Sequence, residues 1–98
     1  YCEQRFDEAC IAAAKLMAQE WCIFCPIAHS HPIASWLSDD LRTSHDFWLK
    51  QDFAILAKAD GLLVLQLHQW RRSVGVKREI EFARDNGIPV EYLDPEKL

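Results

Sequence analysis

Long hydrophobic runs are missing from this sequence, since no stretch approaches the roughly 18–20 apolar residues that span a bilayer. The start shows no basic segment followed by an apolar run, so we expect no signal peptide. Strong charge is also lacking: the net charge of −4 has the wrong sign for a generic nucleic-acid binder. These absences favour a cytoplasmic protein that binds neither a membrane nor a nucleic acid polymer.

Cysteine is present at only four positions, 2, 10, 22 and 25. An even count permits disulfides in a small secreted protein. Cys10 lies on the apolar face of a predicted helix and Cys22 and Cys25 lie in an apolar run, so the pattern favours reduced, buried thiols in a cytosolic protein. The 98 residues predict one domain, residues 1–98. Because the chain starts Tyr1-Cys2-Glu3 without methionine and continues as a helix, we expect a preceding segment that carries a first strand.

Hydrophobic periodicity predicts an alternation of helices and strands. Three segments have a helical period, and three short apolar runs are typical of strands buried on both faces. The predicted helices are 3–20, 46–59 and 74–86, and the predicted strands are 21–25, 61–67 and 88–93. Either Thr43 or Ser44 can cap the second helix, and residues 26–45 are predicted to be largely irregular.

This element order predicts an α/β fold. Strand, helix and strand from 61 to 93 form a βαβ unit with parallel strands. We therefore expect a doubly wound, flavodoxin-like parallel sheet with helices on both faces, and ligands at the carboxyl ends of its strands.

Cysteine and histidine stand close together at Cys22, Cys25, His29 and His31, which are ligand types that zinc accepts. A strand sends residues 22 and 25 to opposite faces, and the histidine spacing is shorter than in finger-type sites. We therefore predict no metal site.

Two loops after predicted strands are candidates for ligand contact. Imidazole and hydroxyl groups of His29, Ser30 and His31 can hydrogen-bond a sugar or base, or the segment simply caps a helix. The second loop joins a strand to a helix and lacks the P-loop pattern G-x4-G-K-[ST]. Its helix start and arginines predict an anion site, although an ordinary capped turn has the same appearance. This segment is Trp70-Arg71-Arg72-Ser73-Val74-Gly75.

Two carboxylates fall on helix faces that are otherwise apolar. Glu79 lies inside the arc of the third helix, between its inward stripe and Phe82, and Asp52 projects among apolar residues of the second helix. A carboxylate in such a place is costly unless it is paired or used in catalysis. The pattern predicts either a catalytic pair with separated pKa values or two acids that are solvated at the rim of their stripes.

These residues together resemble the nucleoside 2-deoxyribosyltransferase superfamily. The resemblance lies in Asp52, the apolar run 61–67, Ser73-x-Gly75-x3-Glu79-Ile80 and Gly87-Ile88-Pro89-Val90. Within that superfamily the segment 25–32, Cys-Pro-Ile-Ala-His-Ser-His-Pro, is most similar to an uncharacterised bacterial and phage domain family. In two features the chain departs from the superfamily, which opens with a tyrosine-bearing strand and usually has glycine where this chain has Glu81.

The resemblance implies a flavodoxin-like fold, a homo-oligomer, a nucleoside or nucleotide substrate and no cofactor. It implies that Glu79 is the nucleophile at the anomeric carbon, that Asp52 assists at the base, and that Ser73 binds a phosphate. The leading hypothesis is therefore cleavage or transfer at an N-glycosidic bond through a covalent glycosyl intermediate. The alternatives are a module of the same fold that binds a nucleotide or a related metabolite without turnover, and a purely structural subunit.

Overall fold

The structure, a computed structural model, describes residues 3–98 and contains mainly helices. Five α-helices and two strands follow one another in this range. They are α1 (Glu3–Ala18), α2 (Pro26–Ala34), α3 (Asp39–Arg42), α4 (His45–Leu56), β1 (Leu62–Leu65), α5 (Val74–Asp85) and β2 (Val90–Leu93). Two 3-10 turns, Trp70–Arg72 and Pro95–Lys97, complete the described elements.

The predicted helices α1, α4 and α5 are confirmed, and their ends follow from local chemistry. Ser44 caps α4, because its hydroxyl accepts the Phe47 N–H at 3.2 Å, and Ser73 caps α5 in the same way through the Val76 N–H at 3.2 Å. Gly87, at φ +69°, takes the left-handed conformation just beyond α5, and the Ile88 N–H returns to the Ala83 carbonyl at 2.8 Å.

The predicted βαβ unit is present. Strands β1 and β2 pair in parallel, with Leu62 opposite Val90 and Leu65 opposite Leu93. Helix α5 connects them and packs against both. Ala83, which is fully buried, and Val64, which is 5% exposed, belong to the core of this unit.

The prediction of a doubly wound, flavodoxin-like sheet with helices on both faces is wrong. The sheet in residues 3–98 has two strands only. The predicted strand 21–25 is an extended segment without a partner strand in that range, and its residues Trp21 and Phe24 are exposed. Apolar composition alone cannot show whether an extended segment has a neighbouring strand to accept its backbone hydrogen bonds. Segment 21–25 has no such neighbour among residues 3–98.

The segment 26–45 is helical rather than irregular. Pro26 occupies the first turn of α2, where its missing N–H costs nothing. The Ser38 hydroxyl accepts the Leu41 N–H at 3.4 Å and caps α3. The prediction failed because α2 has almost no amphipathic period and contains Pro32 in its interior.

The thiols are less buried than predicted. Cys10, Cys22 and Cys25 are free; Cys10 and Cys25 are half-buried, but Cys22 is exposed. Cys2 lies outside the described residues. In the part of the chain that is described, no helix combines the length and the apolar character needed to cross a membrane.

Candidate active site

Helices α4 and α5 lie side by side and run in the same direction. The Phe53 and Phe82 rings stack with centroids 4.5 Å apart at an interplanar angle of 8°. One to two turns closer to the helix starts, an Arg78 Nη1 atom lies 3.3 Å from Asp46 Oδ1. Asp46 lies seven residues before Phe53 on α4, and Arg78 lies four residues before Phe82 on α5, so the two contacts occur in the same order along both helices. Both N-termini are therefore at the same end of the pair.

Asp52 lies on the inward face of α4. It is three residues after Leu49 and four before Leu56, both of which are buried, and these spacings place three side chains on one helix face. The carboxylate is half-buried as a result.

Glu79 has the equivalent place on α5. It is three residues after Val76 and four before the fully buried Ala83, and it is half-buried. Its neighbours Arg78 and Glu81 are exposed, so Glu79 is the acid of this helix that faces the protein interior.

The two carboxylates interact electrostatically. Burial, and to a smaller extent the negative charge of Asp52, raise the pKa of Glu79 to about 7. Burial also raises the pKa of Asp52, while the nearby His29 acts in the opposite direction. Within residues 3–98 neither acid has a side-chain hydrogen bond or an ion pair to offset its burial. The pair thus includes an acid that is partly protonated and partly ionised at neutral pH.

Cys25 lies within electrostatic range of Glu79, and sequence reasoning did not assign it to this site. Burial raises the pKa of the Cys25 thiol and the backbone N–H groups of Ala28 and Ile27 lower it, while Cys10 and, least of all, Glu79 raise it through their charges. Cys25 immediately precedes α2 as its N-cap residue. The available signal was a cysteine directly before Pro26, a position typical of a helix start.

A cleft of about 500 Å³ opens at the N-terminal ends of α4 and α5. The cleft is cationic, because two arginine side chains line it and no acid does so. Its lining residues are Arg5, His45, Gln69, Arg72, Ser73, Val74 and Gly75. A guanidinium nitrogen of Arg5 donates to the His68 carbonyl at 2.6 Å, which holds α1 against the segment after β1.

The predicted anion-binding segment contributes only in part to this cleft. Ser73 and Gly75 line it, whereas Trp70 and Arg71 do not. The Trp70 ring contacts Tyr92, with centroids 5.5 Å apart, and the Arg71 guanidinium lies 5.3 Å from the Trp70 ring centroid. A Cβ at Gly75 would lie 3.8 Å from the Ser73 hydroxyl, an ordinary contact, so this position does not require glycine.

The predicted sugar- or base-binding residues separate along α2. His29 is exposed, lies near Asp52, and its ring centroid is 5.2 Å from that of Phe24. His31 instead contacts α1: its Nε2 atom is 2.7 Å from Glu3 Oε1, and its ring lies 4.5 Å from Phe6. Ser30, which stands between these two histidines in the sequence, is half-buried. The structure therefore brings His29, but not His31, to the carboxylate pair.

The set Cys22, Cys25, His29 and His31, for which the sequence predicted no metal site, is not brought together as a group of metal ligands among residues 3–98. No group of three or more histidine, cysteine, aspartate or glutamate side chains in that range is arranged to hold an ion.

Comparison with known proteins assigns the family of this chain. No curated protein matches the sequence, and no solved structure matches it. Residues 1–94 match the family described as Domain of unknown function (DUF1937). Because this match covers nearly the whole sequence, the chain belongs to that family.

Proposed function

We propose that this protein cleaves or exchanges the N-glycosidic bond of a nucleoside or nucleotide, with Glu79 as the nucleophile. The observation that carries the proposal is the pair of carboxylates, Asp52 and Glu79, on the facing apolar stripes of α4 and α5, close enough for one charge to raise the other's pKa. The resemblance of these positions to the nucleoside 2-deoxyribosyltransferases supports it.

In the first step, ionised Glu79 attacks the anomeric carbon. A bond forms between a carboxylate oxygen and this carbon while the carbon–nitrogen bond breaks, and the electron pair of that bond leaves with the base. The reactive form of the pair is the one in which the proton is on Asp52 and not on Glu79, and Asp52 gives this proton to the departing base. Water or a second base then attacks the same carbon, releases Glu79, and returns a proton to Asp52.

The cationic cleft supports a nucleotide as substrate. Gly75 lines the cleft and lies four residues before Glu79 on α5, a separation of about 6 Å along a helix axis. This is comparable to the distance between the phosphate and the anomeric carbon of a nucleoside monophosphate. Arg5, Arg72 and the free N–H groups of the α5 start favour the phosphate.

A binding module without turnover is the second candidate, and the cleft favours it. Its cationic lining binds an anion whether or not the carboxylates act chemically. For either function we propose a cytoplasmic location, which is supported by the free thiols of Cys10 and Cys25.

The test is a nucleobase-release assay on the full-length protein with a panel of nucleosides and nucleoside monophosphates. Glu79→Gln keeps the size of the side chain but removes the nucleophile, so turnover falls by more than about a thousandfold. Asp52→Asn lowers turnover by about a hundredfold, because it removes proton donation only.

The matched control is Glu81→Gln, which removes the same charge from an exposed position two residues further along α5. Turnover in this variant equals that of the wild type. Undiminished turnover in Glu79→Gln contradicts the mechanism. Nucleotide binding with no base release by the wild type establishes the binding module instead.

A further inference from the structure

Gln69 has a left-handed backbone at the point where it lines the cationic cleft. Its φ is 59° and its ψ is 26°, a conformation that residues with a Cβ rarely adopt. The Trp70 N–H donates to the Leu67 carbonyl at 3.0 Å and closes a turn in which Gln69 is the third residue. When φ is positive at this position of a turn, glycine or asparagine is favoured. A glutamine here therefore lowers stability relative to glycine.

A second left-handed residue, Glu20 at φ 74°, has a complete local explanation. It lies just beyond α1, and its N–H donates to the Met17 carbonyl at 3.0 Å. The next N–H, that of Trp21, donates to the Leu16 carbonyl at 3.1 Å. These two bonds are the common left-handed ending of a helix. Glu20 does not line the cationic cleft, so it shows the same strained conformation away from the cleft.

The backbone and the side chain of Gln69 differ in what they contact. The backbone carbonyl accepts the Arg72 N–H at 3.0 Å and so holds the following 3-10 turn. The side chain is exposed, and among residues 3–98 it makes no hydrogen bond. Glycine would serve the backbone role without strain. The amide group of Gln69 is therefore available to a molecule in the cleft.

Most of the polar side chains that line the cleft donate hydrogen bonds. Arg5 and Arg72 carry donors only. The Ser73 oxygen already accepts a backbone N–H of α5 at 3.2 Å, which leaves its O–H to donate. His45 accepts a hydrogen bond only in its neutral form. Gln69 adds a carbonyl oxygen, which accepts a hydrogen bond at any pH.

This combination of donors and an acceptor indicates the chemical class of the ligand. A phosphate dianion only accepts hydrogen bonds, so it can use the arginines and the Ser73 hydroxyl but not the Gln69 oxygen. A sugar hydroxyl can donate to that oxygen. The cleft volume of about 500 Å³ is in the range of small-molecule pockets, about 300–1,000 Å³, and is larger than a single phosphate needs. A phosphorylated sugar supplies both groups in one molecule.

We propose that the side-chain oxygen of Gln69 accepts a hydrogen bond from a hydroxyl of a phosphorylated sugar in the cleft. This contact makes Gln69 a specificity-determining residue, which selects sugar phosphates over other phosphate monoesters. The inference rests on the proposed function in one respect, because the sugar is the one whose anomeric carbon lies at Glu79. Its test measures binding of a molecule that has no nucleobase, so the inference and the proposed reaction fail by different results.

The experiment is titration calorimetry of the full-length protein with ribose 5-phosphate and with methyl phosphate, which has the same charged group but no hydroxyl. The wild type binds ribose 5-phosphate at least about fivefold more tightly, the contribution of one additional hydrogen bond. Gln69→Leu removes the acceptor, so this preference falls about fivefold while the affinity for methyl phosphate is unchanged. Equal affinities of the wild type for the two probes overturn the proposal, as does an unchanged preference in Gln69→Leu or an equal loss of both affinities.

Gln69→Gly separates the contact from the turn and decides the question if Gln69→Leu does not fold. It relieves the left-handed strain, so Tm rises by about 4 °C, while the preference for ribose 5-phosphate falls as in Gln69→Leu. A higher Tm with an unchanged preference overturns the proposal, because Gln69 then has only its role in the turn.

The matched control is Glu20→Gly, which relieves the same conformation outside the cleft. Its Tm rises by a similar amount, and both affinities equal those of the wild type. A loss of the preference in this variant overturns the assignment, because selection then does not depend on a residue of the cleft.

Discussion

The middle of the α4–α5 pair and its N-terminal end differ in the sign and the burial of their charged side chains. In the middle, Asp52 and Glu79 are half-buried on apolar stripes, and the charge of Asp52 raises the energetic cost of ionising Glu79. At the end, Arg5 and Arg72 are at the surface of an open cleft beside two capped helix starts. Burial makes the first region sensitive to protonation, whereas the cations of the second region are open to solvent.

The largest expected effect is the pH dependence of stability that Glu79 introduces. The folded state holds a proton on Glu79 up to a pH of about 7, while the unfolded chain releases it near 4.5. The contribution of Glu79 to stability therefore falls as the pH rises from 4.5 to 7 and changes no further above that range, a loss on the order of 3 kcal/mol. Glu79→Gln removes this loss. The measurement is the free energy of unfolding in urea at pH 4.5 and pH 8 for the wild type and the variant.

Asp52 contributes to the same profile in the same direction, because its pKa is also raised. Asp52→Asn removes its charge, so the Glu79 transition moves to lower pH. The exposed Glu81→Gln leaves the profile unchanged. Parallel stability profiles for the wild type and Glu79→Gln contradict the burial of this carboxylate.

The next effect concerns the cleft. Arg72→Ala removes a lining cation, so the affinity for a nucleoside monophosphate falls about tenfold while the affinity for the corresponding nucleoside is unchanged. Arg71→Ala is the matched control, because Arg71 is the adjacent arginine but lies over Trp70. Titration calorimetry compares the two. Equal losses for both variants would indicate only a general attraction of anions.

A smaller effect separates the two capping serines. Ser73→Ala and Ser44→Ala each remove a cap hydrogen bond of 3.2 Å and cost about 1 kcal/mol in the free energy of unfolding. Ser73 lines the cleft and Ser44 does not, so monophosphate affinity falls in Ser73→Ala only. If both variants bind alike, the Ser73 hydroxyl has only its capping role.

The smallest effect is expected at Arg78, the immediate neighbour of Glu79. Its pair with Asp46 is exposed, with 45% and 88% of the two side chains accessible, so Arg78→Ala changes the free energy of unfolding by less than about 0.5 kcal/mol. Thermal denaturation in low and high salt measures it. A change as large as that of Glu79→Gln would contradict the difference in burial between the two faces of α5, on which Arg78 is exposed and Glu79 is half-buried.

Local sequence patterns predicted the helices and strands between residues 45 and 93. The helical periods of α4 and α5, the capping serines and the parallel pair β1–β2 all follow from patterns within short segments. Helical phase also indicated that Asp52 and Glu79 face inward. What it left open was whether they face each other, because that depends on the parallel packing of α4 on α5.

Segment 21–25 shows the limit of such patterns. Its five residues have the composition of a buried strand, but a strand exists only where another strand accepts its hydrogen bonds, and that is a property of the assembled chain. The helix α2 was missed for the converse reason, because its stability comes from packing on α1 rather than from its own period.

The sequence by itself determined which side chains are acidic, cationic or apolar and on which helix faces they lie. Only the tertiary structure decided that Arg5, 67 residues before Arg72, lines the same cleft, and that Cys25 and His29 lie within electrostatic range of Glu79 and Asp52 respectively. The physical reason is that periodicity fixes directions within one element, whereas distances between elements follow from how their apolar faces pack together.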